Sequence, residues 1–198
     1  VGIGQRGEQG KNASGVRMRV LISSRSFGGQ CERAIEIIKQ VAEIERSTFG
    51  RPLTEADLMK VLPSYDGIIV GVDEISERVI EACDRLRVVA KHGAGVDNID
   101  LAACTRKGVV VTYVPGANAD SVADFTFCLM LALSRKLISA HASAKAGKWE
   151  SKRFMGIELC GKTLGIVGMG AVGERVAKRA NGFGMRILCY TRHPEKHG

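Results

Sequence analysis

The segment Gly168-Met169-Gly170-Ala171-Val172-Gly173 has the residue types and spacing of a turn that cradles phosphate. That chemistry asks something different of each glycine. The first makes a tight turn, the second lets the backbone approach a pyrophosphate, and the third packs helix against strand. The helix that follows supplies amide donors and the positive end of its dipole. The flanking residues provide the required context. Thr163 to Val167 read as a strand, and Val172, Val176, Ala177, Ala180 and Phe183 follow at helical spacing. Gly184 closes the helix, and residues 185–190, MRILCY, return as a strand. This is one βαβ half-unit of dinucleotide-binding type. A glycine-rich turn without nucleotide is the competing reading.

A second string of the same form, Gly2-Ile3-Gly4-Gln5-Arg6-Gly7, has no strand before it and no amphipathic helix after it. It is read as a decoy. Eighteen residues beyond Gly173, where an acid would grip the ribose 2′-hydroxyl of NAD, stand Thr191 and Arg192. Threonine does not repel a 2′-phosphate and Arg192 could pair with one. The cofactor is therefore NAD or NADP, with a slight lean to NADP; Arg192 stacking on adenine would keep NAD.

The elements that position this turn follow from the rest of the chain. Residues 16–23 (VRMRVLIS), 66–71, 87–93 and 109–114 are short β-branched or apolar runs, and about five strands fit between 17 and 114. Between them lie helical stretches: 28–43, a short helix capped by Thr54, 76–86 capped by Ser76, and 98–108 ended by Gly108. Strands alternating with helices mean a parallel sheet covered on both faces. The expected fold is thus α/β: a flavodoxin-like parallel-sheet domain, then an incomplete Rossmann nucleotide-binding domain. Pro115-Gly116 breaks the rhythm. Residues 118–149 then read as a long helical stretch, apolar around much of its circumference, that needs burial on more than one side. Residues 148–162 read as a connecting loop.

Composition excludes several function classes. The 198 residues carry a net charge of +8, but lysines and arginines are scattered and no aromatics interleave with them, so no nucleic acid partner is expected. No apolar run is long enough to span a membrane, and no membrane partner is expected. Cys31, Cys83, Cys104, Cys128, Cys160 and Cys189 show no zinc-like spacing, and no metal is expected. They read mostly as reduced core thiols of a cytoplasmic protein. Residues 1–16 are Gly-rich and polar and are set aside as a tail or tag remnant; Asn12-Ala13-Ser14 there fits a glycosylation pattern by chance.

Four stretches together carry a resemblance: KHGAGVDNIDLAACTRKGVVV (91–111), VPGANADSVADFTFCLMLALSRK (114–136), GKWESKRFMGIELCGKTLGIVGMGAVG (147–173) and GMRILCY (184–190). The chain resembles the D-isomer-specific 2-hydroxyacid dehydrogenase family, above all its phosphoglycerate dehydrogenase branch, from about residue 17 to 192. The resemblance implies a substrate (catalytic) domain at 17–115 and an NAD(P)-binding domain from 116 to 198, with a cleft between them. It implies that backbone amides at Ala94, Gly95 and Val96 hold the substrate carboxylate, a role suited to uncovered glycine-rich amides after a parallel strand. It also places Ala94 at the nicotinamide end of the cofactor, Ala171 and Val172 at the pyrophosphate, and Thr191 at the ribose. Lys91 matches a basic position facing substrate; a phosphate contact and a solvated strand-end lysine are both open. Gly71 departs from enzymes of this branch that carry arginine there, which leaves 2-hydroxy acids other than 3-phosphoglycerate open. Asp97 and Asn98 are expected to hold the loop and cap the next helix.

The implied activity is hydride transfer between nicotinamide and a small D-2-hydroxy or 2-oxo acid of the phosphoglycerate, glyoxylate or hydroxypyruvate type. The family's catalytic arginine, carboxylate and histidine match nothing here. His92, His141, His193 and His197 are not assigned that role, and no residue of this chain is assigned as catalytic. The nucleotide domain is expected to stop after its first βαβ unit, so the chain is expected to be part of a longer enzyme and inactive alone. A non-catalytic dinucleotide-binding protein of the same fold, like the corepressors that resemble this family, is the alternative. A homodimer through 118–150 is the implied assembly.

Overall fold

Met18–Ile22 forms the first strand, β1, with Leu21 and Ile22 buried at its end. The computed structural model describes residues 17–192 and Pro194. The Gly2 to Gly7 string, the 1–16 tail, His193 and His197 lie outside the described residues. The chain divides into two compact units, one ending at Pro115 and the other beginning at Gly116.

In the first unit, β1 is followed by helix α1 (Glu32–Lys39) and strand β2 (Ala42–Arg46). Helical spacing suggests one helix through residue 43. The helix instead tightens at its end, where Gln40 N donates to Ile37 O and Val41 N to Ile38 O. Ala42-Glu43-Ile44-Glu45-Arg46 then pairs in parallel with β1, from Met18↔Ala42 to Ile22↔Arg46. This stretch alternates apolar and polar residues, a pattern suited to a sheet edge.

Helix α2 (Glu55–Val61) begins with a reciprocal capping box between Thr54 and Asp57. Strand β3 (Gly67–Val70) is buried along its length. Ser76 caps helix α3 (Glu77–Glu81), strand β4 (Val88–Lys91) follows, and helix α4 (Leu101–Lys107) ends at Gly108 in the left-handed conformation, φ 72°. The cap of α4 is Asp100, whose carboxylate accepts from Ala103 N at 2.8 Å, and not Asn98. Strand β5 (Val110–Thr112) completes a parallel sheet of order β2-β1-β3-β4-β5. Leu58, Leu62, Ile68, Ile75, Val79, Ile80 and Val89 are fully buried against it.

The second unit opens with helices α5 (Ala119–Ser134) and α6 (Leu137–Lys145). The single long helix expected from the sequence is broken at Lys136, which has φ 53°. The break has a cause far along the chain. Ile157 N donates to Ser134 O at 2.8 Å, taking up a carbonyl at the end of α5. The chain passes so close that a Cβ on Gly156 would lie 2.5 Å from Ser134 O. After a 3-10 turn at Ser151–Phe154 come strand β6 (Thr163–Val167), helix α7 (Ala171–Gly182) and strand β7 (Arg186–Tyr190). β6 and β7 pair in parallel, Thr163↔Arg186 to Val167↔Tyr190. α7 packs on α5 through Ala123, Phe127, Val176 and Ala180, and Phe127 stacks on Phe183 at 4.9 Å. Arg175 and Arg179 pair with Asp120, and Arg179 with Asp124.

Candidate functional site

Two glycine-rich turns follow parallel strands, one in each unit. In open α/β sheets, ligands bind outside the carboxyl ends of the strands.

In the first unit, β4 ends at Lys91 and the chain turns through Gly93, Ala94, Gly95 and Val96. The carbonyl of Gly93 accepts from Val114 N at 3.1 Å, and that of Val96 from Ile99 N at 2.9 Å. Among the described residues, the amides of Ala94, Gly95 and Val96 donate to no backbone carbonyl. The turn thus offers donors without internal partners, the requirement for holding an anion. Ala94 and Val96 are half-buried and Gly95 is exposed.

The surroundings of this turn are polar and tied together. His92 N donates to Val70 O at 2.8 Å. The His92 ring lies 2.9 Å from Ser24 Oγ through Nδ1 and packs edge-on against Phe27. Ser24 and Ser23, at the end of β1, are buried, and Ser23 Oγ donates to Asp73 at 2.7 Å. His92 is thus anchored by a serine and is not paired with a carboxylate. Lys91 Nζ donates to Gly71 O at 2.6 Å and to Asn98 Oδ1. Neither a solvated lysine nor a free one describes it. A Cβ at Gly71 would stand 3.3 Å from Ser24 Oγ and 3.4 Å from its Cβ, a tight fit that a small shift of Ser24 would relieve. An open cleft of about 400 Å³ nearby is lined by Glu74, Glu77, Asp97 and Asp100 among others. Its carboxylates make it a poor seat for an anionic acid.

In the second unit, the turn Gly168 to Gly173 joins β6 to α7. Gly168 has φ 97°, a conformation that L side chains rarely adopt. Gly173 is buried, and a Cβ on it would meet Gly168 O at 2.2 Å. The polypeptide itself therefore demands the first and third glycines. Gly170 is different: its φ is −89° and a Cβ there would meet nothing within 4 Å. Nothing in the chain requires glycine at 170, whereas close approach of a phosphate would. Helix α7 has no side-chain cap hydrogen bond, and the amides of Ala171 and Val172 stand in its first turn, where no helical carbonyl precedes them. Open space beside Gly170 and uncapped amides fit a pyrophosphate. Thr191 is half-buried and Arg192 exposed just beyond β7.

The structure thus brings Lys91 to Val96 together on one turn and Gly168 to Gly173 on another. The sequence gives no sign of Ser24 and Asp73, which lie on other strand ends. The thiols differ from expectation: Cys83 and Cys104 are buried, while Cys31, Cys128, Cys160 and Cys189 are exposed. Burial pushes the Cys83 thiol up to about 11. No group of metal-ligating side chains occurs among the described residues. Nor is any helix there long and apolar enough to cross a membrane.

The family model of the D-isomer specific 2-hydroxyacid dehydrogenase catalytic domain matches residues 20–192. The chain belongs to this family. It is 44% identical over 160 residues to D-3-phosphoglycerate dehydrogenase of Methanocaldococcus jannaschii, covering 80% of this chain and 30% of that protein. It is 41% identical over 160 residues to hydroxypyruvate reductase of Thermotoga maritima, covering 80% of this chain and 52% of that protein. Among solved structures, the TT0316 protein of Thermus thermophilus superposes with a TM-score of 0.77 at 37% identity, over 88% of this chain and 56% of that one. D-lactate dehydrogenase of Aquifex aeolicus, complexed with NAD and lactic acid, does so with a TM-score of 0.72 at 28% identity, over 88% and 51%. The chain therefore spans between about a quarter and three fifths of the length of the proteins it matches. Oxidoreductase chemistry on small 2-hydroxy or 2-oxo acids is the family's activity, and the α/β parallel-sheet fold agrees with the one expected from the sequence.

Proposed function

We propose that this chain supplies the carboxylate-binding turn and the pyrophosphate-binding turn of a nicotinamide-dependent D-2-hydroxyacid dehydrogenase. In this reading residues 17–115 form the substrate domain, and residues from 116 belong to the nucleotide domain. The observation that carries it is the turn at Ala94, Gly95 and Val96, whose amides no backbone carbonyl claims among the described residues. An anion with two coplanar oxygens, such as the carboxylate of a 2-oxo acid, satisfies such donors. Gly168, Gly170, Ala171, Val172 and Gly173 then receive the pyrophosphate. When bound, the nicotinamide supplies the hydride that C2 of the oxo acid accepts. The protein's share is to bind and orient both reactants. His92, held through Nδ1 by Ser24 and without a carboxylate partner, is assigned no role as acid or base, and the role of Lys91 is taken up below.

The 2-oxo acid is of the glyoxylate, hydroxypyruvate or phosphoglycerate type. Arg192, exposed just beyond β7, would pair with a 2′-phosphate, which supports a slight lean to NADP over NAD, and Thr191 would meet the ribose. The apolar faces of α5 and α6, with Phe125, Leu129, Leu133, Leu137 and Ile138 exposed, support a homodimer through 118–150. Buried Cys83 and Cys104 suit the reducing cytoplasm.

Steady-state oxidation of NADPH and NADH by the full-length protein with glyoxylate, hydroxypyruvate and 3-phosphohydroxypyruvate tests the reading, with calorimetric binding of each cofactor alongside. The family reaction predicts turnover of 2-oxo acids and none of the matching amides, which lack the carboxylate. NADPH binding without turnover of any acid would instead indicate a non-catalytic dinucleotide-binding protein. Arg192→Ala is expected to lower NADPH affinity about tenfold or more and to leave NADH unchanged, the scale of one charge-assisted hydrogen bond.

A further inference from the structure

We infer that Lys91 is a positioning residue that ties the carboxylate-binding turn to the end of β3, rather than a ligand for a substrate phosphate. The inference rests on the carboxylate reading above for its functional meaning, and on geometry alone for the tether. Lys91 closes β4 and immediately precedes the turn. Its ammonium spends two of its three donors inside the protein, on Gly71 O at 2.6 Å and on Asn98 Oδ1. Asn98 completes a bracket from the far side of the turn. Its Nδ2 donates to Gly71 O at 3.3 Å and to Asp73 O. Residues on both sides of Gly93 to Asp97 are thus pinned to the same carbonyl at the end of β3.

The lysine stem also lies beneath the turn. A Cβ on Gly93 would be 3.1 Å from Lys91 Cε. The stem therefore passes close beside Gly93 on its way to Gly71. The anchor itself is rigid. Asp73 is buried, accepts from Leu53 N at 2.6 Å and from Ser23 Oγ at 2.7 Å, and so fixes the segment after β3 to two other elements. A turn whose amides must converge on one carboxylate gains from such bracing, because misplaced donors lose much of their worth. Specificity follows from the same contacts: the acid is recognised through its carboxylate, and its distal group receives no charge from Lys91.

Amide hydrogen exchange on the whole chain tests the tether without any need for turnover. In Lys91→Met and in Asn98→Ala, exchange of the Val114 and Ile99 amides, which donate to the turn carbonyls of Gly93 and Val96, is expected to accelerate about tenfold or more, with β3 and β4 unchanged. Unchanged exchange in both variants would overturn the tether, as would acceleration spread through the whole unit, which marks a purely structural role. If Lys91→Met fails to fold, Asn98→Ala reports on the same bracket. Calorimetry with oxalate and with phosphoglycolate addresses recognition. Equal weakening of both probes by Lys91→Met is the expected result. Weakening of phosphoglycolate alone would make Lys91 a phosphate ligand and sink the inference. If neither probe binds the unaltered chain, the carboxylate reading fails, while the exchange data still decide the tether.

Discussion

The two glycine turns of this chain are built by opposite means. The turn after β4 is held by side chains: Lys91, Asn98, Asp73, Ser23, Ser24 and His92 each contribute a hydrogen bond. The turn after β6 is held by backbone, with Gly173 packed directly on the carbonyl of Gly168. The units beneath them differ as well. The first has a five-stranded sheet over a deep core around Leu58, Ile68, Ile80 and Val89, whereas the second has two strands over a small core around Phe127, Val176 and Ala180. On the second sheet Val167, Leu188 and Tyr190 remain exposed. A loop braced by side chains can be loosened one contact at a time. A turn made by backbone contact either forms or does not.

The sharpest way to break this contrast is Gly173→Ala. The added methyl would sit 2.2 Å from a backbone oxygen that cannot rotate away. The cost is expected to exceed the roughly 1–3 kcal/mol typical of overpacking. Urea unfolding followed by circular dichroism measures it, and an unchanged midpoint would mean that the turn yields easily.

What the sequence reveals follows the same division between local and distant causes. The βαβ unit around Gly168 to Gly173 is readable because its demands are met within a few residues. The same holds for the caps at Thr54 and Ser76 and the stop at Gly108. Strand β2 is hidden because Ala42 to Arg46 alternates in a way that also extends a helical stripe, and only pairing with β1 decides. The break at Lys136 depends on Gly156 and Ile157, which arrive from well along the chain. Lys91 is visible as a basic residue beside the turn, yet its partner Gly71 lies on another strand. The exposed thiols mislead because apolar neighbours in sequence do not guarantee burial in space.

Core truncations compare the units beneath the turns. Ile80 is fully buried in the first unit, and Ile80→Ala is expected to cost about 2–5 kcal/mol. Phe127 is also buried, but its cluster is smaller and many of the hydrophobics packed against it are only partly buried. Phe127→Ala is expected to fall at or below about 3 kcal/mol, the low end for such a change. Equal or reversed costs in thermal or urea unfolding would show that the two cores are equally closed.

A smaller difference is expected at alkaline pH. Burial raises Cys83 to about 11 and Tyr65 to about 12, from ordinary values of 9.0 and 10.0. The folded state favours the neutral forms, so the unfolded chain ionises first. The stability of the first unit is then full below about pH 9 and is lost as pH rises through about 11 and 12. Tyr65→Phe should flatten the portion between 10 and 12. On the acid side the units behave alike. Arg51 holds Asp57 below the usual carboxylate range, and Arg175 and Arg179 do the same for Asp120. Both contributions are present above the ordinary carboxylate value and fade as pH falls through the lowered ones. Urea unfolding read separately for each unit between pH 8 and 12 checks the contrast; parallel loss in both units would remove it.

The smallest effect on stability is expected at Gly170, and it separates folding from binding within one turn. Its backbone is extended, with φ −89° and ψ −164°, which alanine adopts without strain. No atom would meet the new methyl within 4 Å. Gly170→Ala should therefore shift unfolding by no more than about 0.5 kcal/mol. The same methyl would occupy the space through which a pyrophosphate reaches the Ala171 and Val172 amides. NADPH affinity measured by calorimetry is expected to fall at least about tenfold, the equivalent of roughly 1.4 kcal/mol. A variant that folds well and binds poorly assigns the middle glycine to the ligand, just as the Gly173 clash assigns the third to the fold. If Gly170→Ala bound NADPH as tightly as the unaltered chain, the open space would be incidental, and the pyrophosphate would have to sit elsewhere.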